Sequence, residues 1–179
     1  MTTNTAVDWA IDMLPTADSV TSIQQILRSS ARAGVRAQGA TVVWLDHDMC
    51  YYADEDTMSP LWKGQRFPVR RCISGWSMLH DHTVVVPDIF IDDRIPQEAY
   101  RPTFVRSLVM VPIRVDRPVG AIGAYWARLH EATTAEVATL ERLAAAAGQA
   151  LRVIADRNAV PGVAQAGWDA AVPEAALTG

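Results

Sequence analysis

The side chains of this chain that could attack, move a proton or hold a metal are few and scattered. Cys50 and Cys72 are its two cysteines. They lack the CxxC spacing of a zinc or redox motif, and two do not make a disulfide framework. Lys63 is the only lysine, so Schiff-base chemistry has a single candidate. Asp88, Asp92 and Asp93 lie close together, but Asp88 follows Pro87 and Asp92-Asp93-Arg94 has turn composition, so these carboxylates read as caps and turns. His80 and His82 flank Asp81 but belong to no recognised ligand spacing, and such histidines are more often surface or capping residues than ligands. No GxSxG, HExxH or glycine-rich phosphate loop occurs. The residues therefore designate no catalytic group, no metal ligand and no particular cofactor.

Composition bounds what remains. The 179 residues suit one domain with short extensions, and half of them are hydrophobic against a fifth charged, the balance of a folded globular protein. A net charge of −4 argues against general affinity for nucleic acid or anionic lipid, which both need a basic face. Arginines do cluster between positions 66 and 117, and salt bridges to Asp88, Asp92, Asp93 and Glu98 are the expected use of them. No window reaches the ~18 consecutive apolar residues of a membrane span, and no basic leader opens the chain, so a reduced, cytoplasmic setting is expected.

The elements that would position a site follow from periodicity. Residues 1–18 form an N-terminal extension, with an amphipathic piece from Val7 to Leu14 closed by Pro15. Asp18 or Ser19 can cap a helix running to about Gln38, with Val20, Ile23, Leu27 and Ala31 at helical spacing and Gly39 ending it. Ala40 to Leu45 is apolar on both faces and rich in β-branched residues, as in an interior strand. A three-residue turn, Asp46 to Asp48, leads into a second strand from Met49 to Ala53. Residues 54–71 read as a loop anchored by Trp62 and Phe67, Ile73 to His80 as a short helix, and Thr83 to Val86 as a strand. Pro87 to Thr103 is irregular and rich in turn chemistry. Ser107 to Val115 and Val119 to Arg128 are the clearest strands, with Pro112 expected at a bulge or an unpaired stretch.

The last helix starts near Thr133 or Thr134. Val137, Leu140, Ala144, Ala147, Leu151 and Ile154 recur at alternating spacings of three and four, a heptad seam expected to form a dimer interface, while Leu143, Ala146, Ala150 and Val153 make a second stripe able to cover the sheet. Residues 19–158 thus form one domain, and the Ala-, Gly- and Pro-rich tail 159–179 is expected to be mobile, Trp168 apart.

The order helix, hairpin, loop, short helix, strand, loop, two long strands, helix resembles the GAF domain. The pieces that carry it are ISGWSML, TVVVPDIFIDDR, SLVMVPI and GAIGAYW, and RFPVRRCISGW through RIPQEAYRPTFVRSLVMVPI is especially similar to GAF domains of bacterial sensor histidine kinases. The resemblance implies an α+β fold, a central antiparallel sheet of about five to six strands with the N- and C-terminal helices on one face and loops and short helices forming a pocket on the other. It implies ligand-binding positions at Trp62, Phe67, Cys72, Trp76, Leu79, Val85, Ile89, Tyr100, Phe104 and Leu108. The same residues would equally fill that space as a solid core, and both arrangements stay open.

Family ligands meet the sequence unevenly. The Asn-Lys signature of cyclic-nucleotide GAF domains is missing, since Lys63 follows Trp62. Bilin-binding relatives commonly have histidine after the attachment cysteine, whereas Ile73 follows Cys72. Free methionine-R-sulfoxide reductases are similar around SGWSMLHDHTVVVPDI, but the stretch from Ile95 to Ser107, where that family has its nucleophile, contains no cysteine. The resemblance therefore implies a non-enzymatic sensor in signal transduction, such as a two-component system. It would bind an unidentified small molecule, act as a homodimer through its terminal helices and report to a kinase or another output protein. A ligand-free dimerisation or interaction scaffold is the alternative, and a sulfoxide reductase the third.

Overall fold

A computed structural model of the chain describes residues 3–159; of the tail expected to be mobile, residue 159 ends the last helix, and residues 160–179, Trp168 among them, lie outside the described residues. The apolar run at position 40 becomes β1 (Gly39–Asp46), an interior strand of a six-stranded sheet. It pairs on one side with β2 (Met49–Thr57) and on the other with β6 (Pro118–Trp126). The remaining strands are β3 (Arg66–Pro68), β4 (Val84–Val86) and β5 (Ser107–Arg114), and the order across the sheet is β3-β2-β1-β6-β5-β4. Every pairing is antiparallel. The helices are α1 (Thr3–Met13), α2 (Val20–Gly34), α3 (Ile73–His80), α4 (Gln97–Tyr100) and α5 (Thr134–Ala159). This is the expected α+β architecture, with α2 and α5 on one face and the loops and short helices on the other.

Several boundaries differ from the sequence expectation, each for a local reason. Helix α2, capped by the Ser19 hydroxyl at the Ser22 N–H, stops at Gly34 rather than near Gln38, and Arg36 turns the chain with φ 51° so that Gly39 opens β1. The β1–β2 connection has two residues, not three, because Asp46 still pairs with Met49 and His47 takes φ 55°. Strand β2 continues to Thr57 and the three-residue edge strand β3 lies inside the expected loop. Pro112 sits opposite Ala121 of β6, while β4 ends opposite Met110, so the proline has no strand neighbour on its other side, as a residue without an N–H requires.

Two hydrophobic layers hold the sheet. Toward α2 and α5, Val42, Trp44, Val111, Ile122 and Trp126 pack with Ile23, Leu27, Leu140, Leu143 and Leu151, all buried. Full burial of each large aliphatic side chain contributes roughly 1.5–3 kcal/mol. The heptad seam belongs to this layer. Leu140, Ala144, Ala147, Leu151 and Ile154 are at most 5% exposed, and Val137 is half-buried, so the residues expected at a dimer interface instead cover the chain's own sheet and α2. The second stripe is part of the same contact, because Leu143 and Ala150 are also buried, while Val153 is 41% exposed. A broad apolar face suits sheet packing, whereas a coiled coil uses a narrow seam.

Candidate functional site

The opposite face of the sheet is built around one irregularity. Val43 pairs with Tyr52 but Val42 pairs with Asp54, so Ala53 is an extra residue, a bulge in β2. Before the bulge, Cys50 and Tyr52 point into the layer under α3. After it the alternation is reversed, and Glu55, opposite Thr41, comes onto that same face. There its carboxylate accepts three backbone N–H groups, Leu61 at Oε1 and Trp62 and Lys63 at Oε2, each at 3.0 Å. The neighbouring Asp54 goes to the helix side, where its carboxylate pairs with Arg28 at 2.9 Å and with Lys63 at 2.7 Å.

This clamp fixes Trp62 at the centre of an aromatic cluster. Its ring lies 4.7 Å from Tyr100, 5.5 Å from Tyr52 and 5.7 Å from Tyr125 between centroids, and its indole N–H donates to the Ala99 carbonyl at 3.3 Å. Phe67 of β3 adds an edge-on contact to Tyr52 at 5.5 Å. Such pairs contribute roughly 0.5–1.5 kcal/mol beyond the area they bury. Deeper in, the Tyr125 hydroxyl is 2.8 Å from that of Thr41, which explains Gly123: a methyl there would collide with both. Burial pushes the phenols of Tyr52 and Tyr100 well above the usual tyrosine range.

A cavity of about 310 Å³ opens outside this cluster. Trp62 and Phe67 form its inner wall, Pro60, Leu61 and Gln65 one rim, and Ala99, Pro102 and Thr103 the other. It is the mostly apolar concavity with a few polar points that a small-molecule site requires, at the small end of the usual size range. A second depression, about 290 Å³, lies between β5 and α5, and its arginines are already engaged, Arg114 with Asp81 and Arg152 with Asp116.

Of the ten expected binding positions, Trp62 and Phe67 line the larger cavity. Cys72, Ile89, Tyr100 and Leu108 are buried in the layer behind it, and Phe104 packs at the edge of that layer. Trp76 is half-buried, stacked on His80 at 4.1 Å with the Arg94 guanidinium 4.9 Å from its ring. Leu79 is 50% exposed on α3 and does not face the layer. Val85 points to the helix side, because Val84 and Val86 on either side of it take the pocket face. The sequence reading missed Gln65, Pro102, Thr103 and the clamp at Glu55. The Pro60 and Gly64 that shape this segment were its visible signal, with Gly64 at φ 85°. Gly75 in α3 has a packing role: a side chain there would strike the Val69 carbonyl.

The cysteines form a separate feature. Cys50 and Cys72 are both reduced and buried in this layer, with the Cys72 sulfur 3.4 Å from the Ser74 hydroxyl and that hydroxyl 3.2 Å from Tyr52. Interaction with the Cys50 thiol, opposed by burial and reinforced by Ser74, lowers the Cys72 thiol to about 7, and the same interaction together with burial raises Cys50. The surface charges pair locally. Arg106 grips Asp88 in a two-pronged contact and Arg94 grips Asp92, each holding its carboxyl below the usual range, while Asp93 and Glu98 are exposed. Among the described residues no group of three or more His, Cys, Asp and Glu could hold a metal ion, and no helix is long and apolar enough to cross a membrane.

A family model described as GAF domain matches residues 18–152. The chain belongs to the GAF domain family. Solved structures of similar fold include an enzyme, a phosphotransferase GAF domain and a chromophore-binding domain. The free methionine-R-sulfoxide reductase of Neisseria meningitidis, in complex with its substrate, is similar at 17% identity over 86% of this chain and 90% of that one, with a TM-score of 0.74. The GAF domain of a phosphoenolpyruvate-protein phosphotransferase from Coxiella burnetii gives 12% identity, 89% and 98% coverage, and a TM-score of 0.76. The chromophore-binding domain of an unusual bacteriophytochrome from R. palustris gives 17% identity over 84% of this chain and 60% of that chain, with a TM-score of 0.71. At these identities the likeness is one of fold. No curated protein matches the sequence.

Proposed function

We propose that this GAF domain is a non-enzymatic sensory module that binds a small, largely apolar molecule in the groove walled by Trp62 and Phe67. The observation that carries this reading is the construction of that wall. A bulge at Ala53 brings Glu55 to the face where its carboxylate holds three consecutive amides, and the held segment presents Trp62 to a cavity of about 310 Å³. Gln65 and Thr103 would supply orientation at the rim, since small-molecule sites pair an apolar body with a few polar groups. Occupancy would bias the packing of the sheet against α2 and α5 and so reach an output protein, such as a signalling kinase in a cytoplasmic two-component system, or a second copy in a homodimer. Because the seam of α5 is buried, a second copy would meet outward positions instead, such as Val153 on α5 or Trp9 on α1, which are 41% and 47% exposed. Reductase chemistry is not part of this reading. Residues 95–107 carry no cysteine, and neither Cys50 nor Cys72 lines the groove.

The test is native mass spectrometry of freshly purified protein, followed by thermal-shift screening of a metabolite library against wild type and Gln65→Ala. The expected result is a bound molecule or a Tm increase in wild type that the variant weakens. A hit that binds the variant equally well places the site elsewhere and overturns the groove.

A ligand-free interaction scaffold is the second reading. The contact of Trp62 with Tyr52, Tyr100 and Tyr125 favours it, because these rings fill space that an open pocket would need. No co-purified molecule and no thermal shift across the library is its expected outcome.

A further inference from the structure

Cys50 and Cys72 come together by a route the fold dictates. Cys50 lies on β2 opposite Phe67 of β3. From Phe67 the chain passes Pro68 and a single 3₁₀ turn, Val69–Arg71, whose first N–H donates to the Asp48 carbonyl at 2.7 Å. That turn folds the chain back over β2 and delivers Cys72 to the start of α3, in the same buried layer as Cys50. Ser74, one residue into α3, contacts the Cys72 sulfur at 3.4 Å and Tyr52 at 3.2 Å, which links Cys72 to the residue two positions from Cys50 on the same face of β2. Gly75 lets this arrangement close, since any side chain there would strike the Val69 carbonyl in the turn that carries Cys72. Cys72 is 7% exposed and Cys50 fully buried, so a small reagent meets Cys72 first.

We propose that Cys50 and Cys72 are a reversible dithiol–disulfide pair, oxidised by a small hydroperoxide and reduced by an external thiol. The chemistry balances in two steps. The Cys72 thiolate attacks one peroxide oxygen, the O–O bond breaks, and the second oxygen leaves as hydroxide or alkoxide, giving the Cys72 sulfenic acid. The Cys50 sulfur then attacks the Cys72 sulfur: the S–S bond forms, the S–O bond breaks, and that oxygen leaves as water with the Cys50 proton. The two sulfurs together give up the electron pair that the peroxide takes. Two molecules of external thiol return it, ending as their own disulfide. The environment favours this order, because Cys72 carries the more acidic thiol and attack proceeds through the thiolate. Closing the bond would tie the first turn of α3 to β2 and remove the freedom of the segment between them, which includes Trp62 and Phe67. The proposal stands independently of the groove being a ligand site.

The test treats the whole folded chain with hydrogen peroxide, then unfolds it in N-ethylmaleimide and measures intact mass and non-reduced peptides. The expected result is loss of the mass of two hydrogens, no alkylation of either cysteine, and one peptide pair linking positions 50 and 72, all reversed by dithiothreitol. Cys50→Ser is expected to stop at the Cys72 sulfenic acid and to be trapped there by dimedone. The proposal is overturned if both wild-type thiols remain alkylatable after peroxide. It is equally overturned if Cys72 proceeds to sulfinic acid without linkage, or if the only disulfide joins two chains. The wild-type mass decides these outcomes even where the serine variant fails to fold.

Discussion

Glu55 holds Trp62 in place: one carboxylate oxygen accepts the Trp62 N–H at 3.0 Å and also that of Lys63, while the other takes Leu61. Replacing Glu55 by alanine leaves these amides without their acceptor in a half-buried segment. A lost hydrogen bond to a charged group costs about 1.5–3 kcal/mol, so a destabilisation on the order of 3 kcal/mol is expected, less wherever water reaches an amide. Denaturant unfolding followed by tryptophan fluorescence checks it. Glu55→Gln, which keeps an acceptor but not the charge, is expected to recover part of the loss. Equal stability of wild type and Glu55→Ala would mean that the clamp does not order the segment.

Tyr100 presents the opposite case. Its ring packs on Trp62, yet its hydroxyl is buried with no hydrogen-bond partner among the described residues. Removing an unsatisfied buried group while keeping the ring avoids the desolvation cost without opening much space. Tyr100→Phe is therefore expected to be neutral or up to about 1 kcal/mol more stable, measured by urea unfolding. A clear loss would show that the hydroxyl has a partner in solution, bound water or ligand being the candidates to seek by mass and spectroscopy.

What was legible in the sequence divides along the same lines. β1 and β5 announced themselves because both of their faces are covered, so their apolar runs are continuous. α3 was visible from its apolar content and its return to turn residues at Asp81, which takes φ 51°. β3 and α4 were hidden because RFP and QEAY are short and mixed in polarity, whereas the equally short β4 showed through its run of three valines. The groove was hidden for a different reason. Its wall depends on the bulge at Ala53, and in an unbulged strand Asp54 would share a face with Tyr52 while Glu55 would point away. Only the pairing with β1 reveals that Glu55 is the residue facing Trp62.

The α5 seam shows how one pattern admits two meanings. Leu140 was spaced as a contact for a second copy, but it is fully buried against the chain's own sheet and α2. Leu140→Glu is therefore expected to abolish the fold rather than yield a folded monomer, because it exchanges several kcal/mol of burial and packing for an unpaired buried charge. Circular dichroism reads the outcome directly. A folded, monomeric Leu140→Glu protein in sedimentation would restore the seam as an interface between copies.

The start of α5 carries a pH dependence whose direction can be worked out. Thr133 and Glu136 form a capping box: the Thr133 hydroxyl accepts the Glu136 N–H at 3.2 Å, and the Glu136 carboxylate accepts the Thr133 N–H at 2.7 Å, with His130 at 3.1 Å on the same oxygens. Burial works against the charge of Glu136, but the Thr133 N–H and hydroxyl and the nearby His130 outweigh it and hold the carboxyl below its ordinary 4.5. A carboxyl depressed in the folded state contributes stability that is fully present above its unfolded value and is lost as pH falls through the lower folded value. Stability is therefore expected to decline on acidification below about pH 5. Glu136→Gln should make that decline shallower, and Thr133→Ala should cost about 1 kcal/mol at neutral pH through the lost cap. Urea midpoints measured from pH 7 down to pH 3 for the three proteins test this, and a Glu136→Gln curve parallel to wild type would remove Glu136 as a source of the acid sensitivity.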